Sequence, residues 1–248
     1  MPIFDPNSRV AHFTLAGSAY GFSGTRLGAL GASEWTLVSI VADVSGSVSG
    51  FERDIEGVMR SVAEACRLSP RADHLMLRAV SFDNRVNEVH GFKPLSDIGP
   101  RDYDDALAIG GATALYDAAH NAVTAMTTYA DGLTRAGMAV NGLVVVITDG
   151  EDNASTLDAK ALSRAVAEAV SGEALESVVT VLVGVNTASS GVGAYLMQLS
   201  AAAGFDHYVD LARADAKTLA GLADFVSRSI YAQSICLGTG GPSRVQTP

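Results

Sequence analysis

Five oxygen-bearing side chains lie in three separate segments of the sequence and could together bind a hard cation. Asp43, Ser45 and Ser47 directly follow an apolar run. Thr113 comes shortly after two consecutive glycines, and Asp149 ends a second apolar run. Carboxylate and hydroxyl oxygens are the ligands that hard divalent cations prefer in proteins. If the three segments converge in the fold, they predict one divalent-cation site.

The elements that would position these side chains alternate along the chain. From Trp35 onward, apolar runs rich in Val, Ile and Leu are separated by amphipathic stretches. This alternation is typical of an α/β fold in which helices cover both faces of a mostly parallel sheet. Strands are predicted near residues 36–43, 74–82, 86–91, 142–148, 177–185 and 206–210.

The second and third predicted strands are separated only by residues 83–85. Because so short a connection cannot contain a crossover helix, the two strands are predicted to form an antiparallel hairpin at one edge of the sheet. Ser155, followed three residues later by Asp158, resembles a helix-starting capping box. Apolar residues at helical spacing predict helices that contain Phe51, Leu115, Leu162, Tyr195 and Leu219.

The cation-site residues carry a family resemblance. The Asp-Val-Ser-Gly-Ser segment from Asp43, together with Thr113 and the Thr-Asp-Gly segment around Asp149, resembles the metal-ion-dependent adhesion site of von Willebrand factor type A domains. The resemblance covers about residues 35–231. It implies a doubly wound α/β fold whose six-stranded, mostly parallel sheet has the order 3-2-1-4-5-6 and one antiparallel edge strand. In that order Asp43 and Asp149 end neighbouring strands, at the switch point where open α/β sheets bind ligands.

The resemblance also implies a role for each candidate ligand. Ser45 and Ser47 would bind the cation through their hydroxyls. Thr113, Asp43 and Asp149 would bind it directly or through water. The implied cation is Mg²⁺ or Mn²⁺, with one position left for an Asp or Glu of a partner protein.

A structural alternative for the first segment is a helix N-cap. Ser and Asp are favoured caps, and residues 43–47 precede the helical pattern at Phe51. Thr113 and Asp149 stand where the metal site requires them, which favours the metal hypothesis. Further acidic residues are predicted to be solvated surface charges, although they could tune the metal or select a partner: Glu151, Asp152, Asp102, Asp104 and Asp105. The five histidines do not pair at metal-ligand spacing.

Composition narrows the class of partner. The 248 residues include 48% hydrophobic and 18% charged residues, enough apolar content for a substantial core, and the formal net charge is −10. This acidic balance argues against nucleic acid as a partner. The start of the chain has no secretion signal pattern, and no apolar run reaches 18 residues, so a membrane span is not expected. With only two cysteines, a cytoplasmic location is predicted.

Three regions are predicted. Residues 1–34 form an N-terminal extension, either a β-hairpin or a packed arm. Residues 35–231 form the domain of the von Willebrand type, and residues 232–248 form a flexible tail rich in Gly, Pro and Ser. Gly46 is expected to allow a tight turn between two hydroxyl ligands.

The leading functional hypothesis is a non-enzymatic, divalent-cation-dependent protein-binding module. The resemblance extends to stand-alone bacterial proteins associated with tellurium resistance, which implies an adaptor in a multiprotein system. One alternative is a metal-dependent hydrolase, although the motif loops offer no His, Cys or Lys as a base or nucleophile. Another is a self-assembling scaffold whose arm or tail binds the metal site of a neighbouring copy.

Overall fold

The apolar runs of the sequence become buried strands of one mixed sheet. A computed structural model describes residues 9–16, 18–49, 52–99, 101–104, 107–189, 191–211, 213 and 216–236. The strands are β1 (Val10–Phe13), β2 (Phe22–Thr25), β3 (Glu34–Asp43), β4 (Leu75–Phe82), β5 (Val86–Pro94), β6 (Ala139–Thr148), β7 (Ser177–Val185) and β8 (His207–Leu211). The α-helices are α1 (Glu52–Arg67), α2 (Leu115–Arg135), α3 (Ala159–Ser171), α4 (Val192–Ala203) and α5 (Ala216–Cys236).

The strand order of this sheet is β1-β2-β5-β4-β3-β6-β7-β8. The central strand β3 pairs in parallel with β4 and β6, and the parallel pairing continues through β7 to β8. β4 and β5 pair antiparallel, as their short connection requires. The α/β class therefore agrees with the prediction.

The predicted strand count of six is wrong, and so is the complete order. The six predicted strands are adjacent as β5-β4-β3-β6-β7-β8, but β1 and β2 extend the sheet beyond β5, which is not an edge strand. β1 and β2 form an antiparallel pair, and β2 meets β5 at the single register position Gly24↔Phe92. Four-residue strands with so little ladder pairing leave almost no period-two signal in the sequence.

Aromatic side chains attach this pair of strands to the rest of the sheet. The Phe13 and Phe22 rings stack with centroids 4.6 Å apart, and the Phe92 and Tyr129 rings stack at 5.1 Å. The Tyr129 hydroxyl donates to the Thr25 carbonyl at 2.6 Å. Residues 1–8 of the predicted extension lie outside the described residues.

Helices cover both faces of the sheet. Alternate residues of β3 point to opposite faces, so Leu37 and Val41 pack in the cluster beneath α2, α3 and α4, whereas Val38 and Ile40 pack beneath α1 and α5. Because helices bury both faces, the central strands are apolar almost throughout rather than alternating with polar residues.

The C-terminal boundary differs from the predicted one. The tail was expected to begin after residue 231, but α5 continues to Cys236. Residues 237–248 of the predicted tail lie outside the described residues. None of the described helices is long and apolar enough to cross a membrane.

Candidate metal centre

The candidate site lies where β3 and β6 end side by side. Parallel pairing brings Ala42 opposite Ile147, so Asp43 and Thr148 follow as neighbours at the carboxyl ends of these strands. Thr113 approaches from the loop that precedes α2. This edge of a doubly wound sheet is the expected place for a ligand, since the loops that follow adjacent strands diverge there.

Asp43 is the most buried of the predicted ligands, with 1% of its surface exposed. Its Oδ1 accepts the Ser45 N–H at 2.8 Å, and its Oδ2 accepts the Thr148 hydroxyl at 2.5 Å. Burial raises the pKa of Asp43 to about 6, against the opposing effect of these hydrogen bonds. The Thr148 contact was not predicted, although the sequence places this threonine directly before Asp149.

Hydroxyl groups connect the two strand ends. The Ser45 and Ser47 hydroxyl oxygens are 3.0 Å apart, and the Ser47 hydroxyl donates to Asp149 Oδ1 at 2.6 Å. Burial raises the pKa of Asp149 as well, although the bond from Ser47 lowers it. Asp149 adds a smaller electrostatic increase to the pKa of Asp43. The two carboxylates are therefore close enough to repel one another.

Thr113 completes the group. A Cβ atom placed on Gly150 would lie 3.3 Å from the Thr113 hydroxyl oxygen and 3.8 Å from the Ser47 hydroxyl oxygen. Both hydroxyls thus border the same space, which the absent side chain of Gly150 keeps open. The structure brings all five predicted ligands, Asp43, Ser45, Ser47, Thr113 and Asp149, to one place.

The glycine loop before Thr113 is tied to the segment that follows β3. Gly111 has φ of 82°, a left-handed conformation that favours glycine. The Gly110 N–H donates to the Val44 carbonyl at 2.9 Å, and the Gly46 N–H donates to the Gly111 carbonyl at 3.1 Å. The tight turn expected at Gly46 is present as the 3-10 turn Gly46–Val48, although the φ of Gly46 is not in the left-handed region.

The segment after Asp149 holds Thr113 from the other side. The Thr113 N–H donates to the Asn153 side-chain oxygen at 2.7 Å. The Thr113 carbonyl accepts the N–H groups of Asn153 at 3.0 Å and Ala154 at 3.2 Å. Sequence reasoning missed Asn153, since an exposed Asn in a polar loop carries no periodic signal.

Two expectations for this loop need correction. Asp152 is more than a solvated charge, because its Oδ1 accepts the Tyr116 N–H at 3.3 Å and the Ser155 hydroxyl at 2.5 Å. The capping box is also wrong. The N-cap of α3 is Asp158, whose side chain accepts the Ala161 N–H at 2.9 Å, whereas the Ser155 hydroxyl accepts the Asp117 N–H.

Two of the acidic residues before the glycine loop form ion pairs. Asp102 contacts Lys93 at 2.5 Å and Asp104 contacts Arg60 at 3.2 Å. Asp105 lies outside the described residues. Glu151 is exposed, in agreement with a solvated position.

The donor set fits a hard divalent cation. It consists of two carboxylates and three hydroxyls, all oxygen ligands. Within the described part of the chain, neither the Asp43 nor the Asp149 carboxylate forms an ion pair. The same part of the chain contains no cluster of three or more His, Cys, Asp or Glu side chains, so a cation here would depend on the hydroxyls. Ser45 precedes the 3-10 turn Gly46–Val48 without a side-chain cap bond. The residues directly before α1, 50 and 51, lie outside the described residues, so the N-cap alternative for that helix stays untested.

Comparison of the sequence with protein-family models and with curated proteins gives no match. Several solved structures resemble the fold. The PilB minor pilin from Streptococcus sanguinis aligns with a TM-score of 0.59 at 14% identity, over 85% of this chain and 64% of that chain. The pilus adhesin SpaC from Lactobacillus rhamnosus GG, in its open conformation, aligns with a TM-score of 0.62 at 10% identity, over 90% and 33%.

Proximal thread matrix protein 1 from the mussel byssus, solved with a zinc-occupied MIDAS motif, aligns with a TM-score of 0.52 at 18% identity. The alignment covers 81% of this chain and 47% of that protein. This chain therefore spans between 33% and 64% of these structures. The similarities support a von Willebrand factor type A-like fold. At such low identities they concern the fold alone.

Proposed function

We propose that this protein is a divalent-cation-dependent protein-interaction module in which Asp43, Ser45, Ser47, Thr113 and Asp149 hold Mg²⁺ or Mn²⁺. The observation that carries the proposal is the electrostatic state of the site. Two partly or fully buried carboxylates adjoin a network of hydroxyls, and neither has a basic partner among the described residues. Burying like charges without compensation is costly, and a divalent cation would offset that cost.

The residues determine what chemistry the site could support. A bound divalent cation would supply an electrophilic centre able to accept one carboxylate oxygen from a partner protein. Ser45, Ser47 and Thr113 contribute neutral oxygens, so they would leave much of the positive charge uncancelled. An acidic side chain of the partner is therefore the proposed ligand.

The proposal is that the protein binds and does not catalyse. Outside the ligand set, the acid nearest in sequence to Asp149 is Glu151, whose side chain is exposed rather than enclosed in a dry pocket suited to general acid or base chemistry. We expect no hydrolysis of phosphate monoesters, diesters or nucleoside triphosphates above background with Mg²⁺ or Mn²⁺. Multiple turnover that disappears in both Asp149→Ala and Glu151→Gln would favour the hydrolase instead.

The cellular setting is proposed from the sequence alone. The acidic composition, the two cysteines and the family resemblance support a cytoplasmic adaptor in a bacterial multiprotein system of the tellurium-resistance type. The solved structures with similar folds include pilus proteins, which themselves belong to larger assemblies. A role within a multiprotein assembly is compatible with this fold.

The test combines metal binding with partner capture. Calorimetry should detect one Mg²⁺ or Mn²⁺ per wild-type chain and none in Asp43→Ala. The wild-type protein, immobilised in Mg²⁺, should retain a partner from native lysate and release it in EDTA. Asp131→Asn is the matched control, because Asp131 pairs with Arg135 at the far end of α2. Equal metal binding by wild type and Asp43→Ala would refute the assignment, as would a captured partner that EDTA does not release.

A further inference from the structure

A buried carboxylate outside the ligand set faces the loop that carries Asp149. Asp117 lies in the first turn of α2 with 3% of its surface exposed. Its carboxylate accepts the N–H of Thr156 at 3.1 and 3.2 Å, the hydroxyl of Thr156 at 3.1 and 3.3 Å, and the N–H of Leu157 at 2.9 Å. Hydrogen bonds to an ionised acceptor are stronger than those between neutral groups. Asp117 therefore fastens this loop to the start of α2.

The loop returns hydrogen bonds to the same helix. The first N–H groups of an α-helix lack partners within the helix, and the residue before α2, Ala114, offers no side-chain cap. The loop supplies the missing acceptors. Asp152 accepts the Tyr116 N–H at 3.3 Å, and the Ser155 hydroxyl accepts the Asp117 N–H at 3.1 Å.

A third set of bonds fixes Thr113 itself. Its N–H and its carbonyl are both engaged by residues 153–154. The segments 113–117 and 152–157 thus exchange hydrogen bonds in both directions. Because one segment contains Thr113 and the other directly follows Asp149, this exchange determines how those two candidate ligands are placed relative to each other.

We propose that Asp117 and Asn153 are positioning residues of the divalent-cation site. They act through Thr113 and Asp149 and do not themselves bind the cation. The inference rests on the proposed function, because it assumes that those two ligands bind a cation. Without the two positioning residues, the cation would have to organise loops that the wild-type protein already holds in place.

The experiment is a Mn²⁺ titration of the purified 248-residue protein, followed by calorimetry and by electron paramagnetic resonance of the bound ion. Asp117→Asn and Asn153→Ala are each expected to weaken Mn²⁺ binding by about ten- to a hundredfold, the usual effect of removing a residue that orients a metal ligand. The resonance spectrum of bound Mn²⁺ should also change, since the ligands around it are less uniformly placed. Asp131→Asn, on the same helix, should leave both readouts unchanged.

A pair of substitutions at Ser155 tests whether its hydroxyl is what supports Mn²⁺ binding. Ser155→Ala removes the acceptor for the Asp117 N–H and should weaken Mn²⁺ binding, whereas Ser155→Thr keeps a hydroxyl and should restore it. Asn153 is exposed, so Asn153→Ala decides the matter if Asp117→Asn does not fold. Circular dichroism without metal verifies the fold of each variant.

The outcomes separate the two hypotheses. If wild-type protein binds no Mn²⁺, the proposed function and this inference are both overturned. If wild-type protein binds Mn²⁺ and Asn153→Ala binds it with a dissociation constant within twofold of wild type and an unchanged spectrum, the cation site stands. The positioning role proposed for Asp117 and Asn153 is then overturned.

Discussion

Two polar clusters of this protein handle buried charge in opposite ways. The first surrounds Arg78 on β4, whose side chain is fully buried. Its guanidinium donates to Glu88 at 2.9 Å and to the Asn121 side-chain oxygen at 2.8 Å. It also lies 5.9 Å from the ring centroids of Phe22 and Phe92. The cluster thus contains its own counter-charge.

The second cluster is the candidate metal centre, where Asp43 and Asp149 carry like charges. Its described contacts are hydroxyls and N–H groups, which soften the repulsion without cancelling it. The two clusters differ in whether a counter-charge lies within the described part of the chain. The charge of Arg78 is compensated within the chain by Glu88, although Arg78 Nη1 and Asn121 Nδ2 have no hydrogen-bond partner among the described residues. The Asp43 cluster would gain most from a cation supplied from outside.

The Arg78 cluster also holds the N-terminal strands. Glu88 accepts the Ser23 N–H at 2.9 Å and the Ser23 hydroxyl at 2.5 Å, while it pairs with Arg78. A Cβ atom on Gly91 would overlap the Ser23 backbone, so this glycine permits the close approach of β2 to β5. Loss of Glu88 should therefore affect both charge compensation and strand attachment.

The largest expected effect is on stability at the Arg78 cluster. Glu88→Ala should lower the free energy of unfolding by about 3 kcal/mol, because it leaves a buried guanidinium without its counter-charge. Glu64→Ala is the matched control. It removes an exposed partner of Arg67 and should cost less than about 1 kcal/mol. Urea unfolding measures the free energy of unfolding of both variants. Equal losses would mean that Glu88 compensates the buried charge of Arg78 no better than a surface ion pair does.

The next effect should appear only at the metal centre. At a Mg²⁺ concentration a hundred times its dissociation constant, the free energy of unfolding of wild-type protein should rise by about 2.7 kcal/mol. The same addition should not stabilise Asp43→Ala, but it should still stabilise Glu88→Ala. Calorimetric melting with Mg²⁺ or EDTA provides the measurement. Stabilisation of Asp43→Ala by Mg²⁺ would place the cation elsewhere.

A third, smaller effect concerns His90, a partly buried histidine that stays neutral in the folded chain. Burial lowers the pKa of His90 from 6.5 to about 4, and its ring contacts the Tyr103 hydroxyl, with Lys93, Asp102 and Glu88 nearby. Between these pH values the unfolded chain binds a proton that the folded chain does not, so acidification favours unfolding. The expected loss from pH 6.5 to 5 is about 1 kcal/mol, allowing for partial exposure of the ring.

His90→Gln should remove this part of the pH dependence. Urea unfolding of wild-type and His90→Gln protein across pH 5 to 7 in EDTA tests it. The difference in unfolding free energy between the two proteins should narrow as the pH falls. A constant difference would mean that His90 binds protons equally in the folded and unfolded chains, so that folding does not lower its pKa.

The smallest predicted effect has the opposite sign. In EDTA at pH 7, Asp43→Asn should raise the free energy of unfolding by about 0.5 kcal/mol, since it removes a buried charge and keeps an acceptor for the Ser45 N–H. The same variant should lose partner binding in Mg²⁺. A clear loss of stability together with retained partner affinity would make Asp43 structural, like Arg78.

Local pattern was sufficient for much of the fold. Apolar runs and helical spacing located β3 to β8 and the five helices, because side chains repeat every two residues in strands and about every 3.6 residues in helices. The same runs placed Asp43 and Asp149 at strand ends, and the structure brings them together. Cation binding by these residues stays a prediction.

Tertiary structure alone decided how the remaining polar groups are used. Nothing local to Arg78 indicates that a charged residue in a strand would be fully buried, since its partners Glu88 and Asn121 come from another strand and a helix. The placement of β1 and β2 beyond β5 likewise depends on aromatic contacts with distant residues.

The candidate metal centre shows the same division between local pattern and tertiary structure. The sequence by itself supplied the candidate oxygen donors, because residue type and local position are visible in it: Asp43, Ser45, Ser47 and Asp149 follow apolar runs, and Thr113 follows two glycines. The hydrogen bond from Thr148 to Asp43 joins segments that are far apart in the chain, and so do the hydrogen bonds that Asp117 and Asn153 accept. Such contacts exist only once the sheet and α2 have brought the segments together, so only the tertiary structure could decide them.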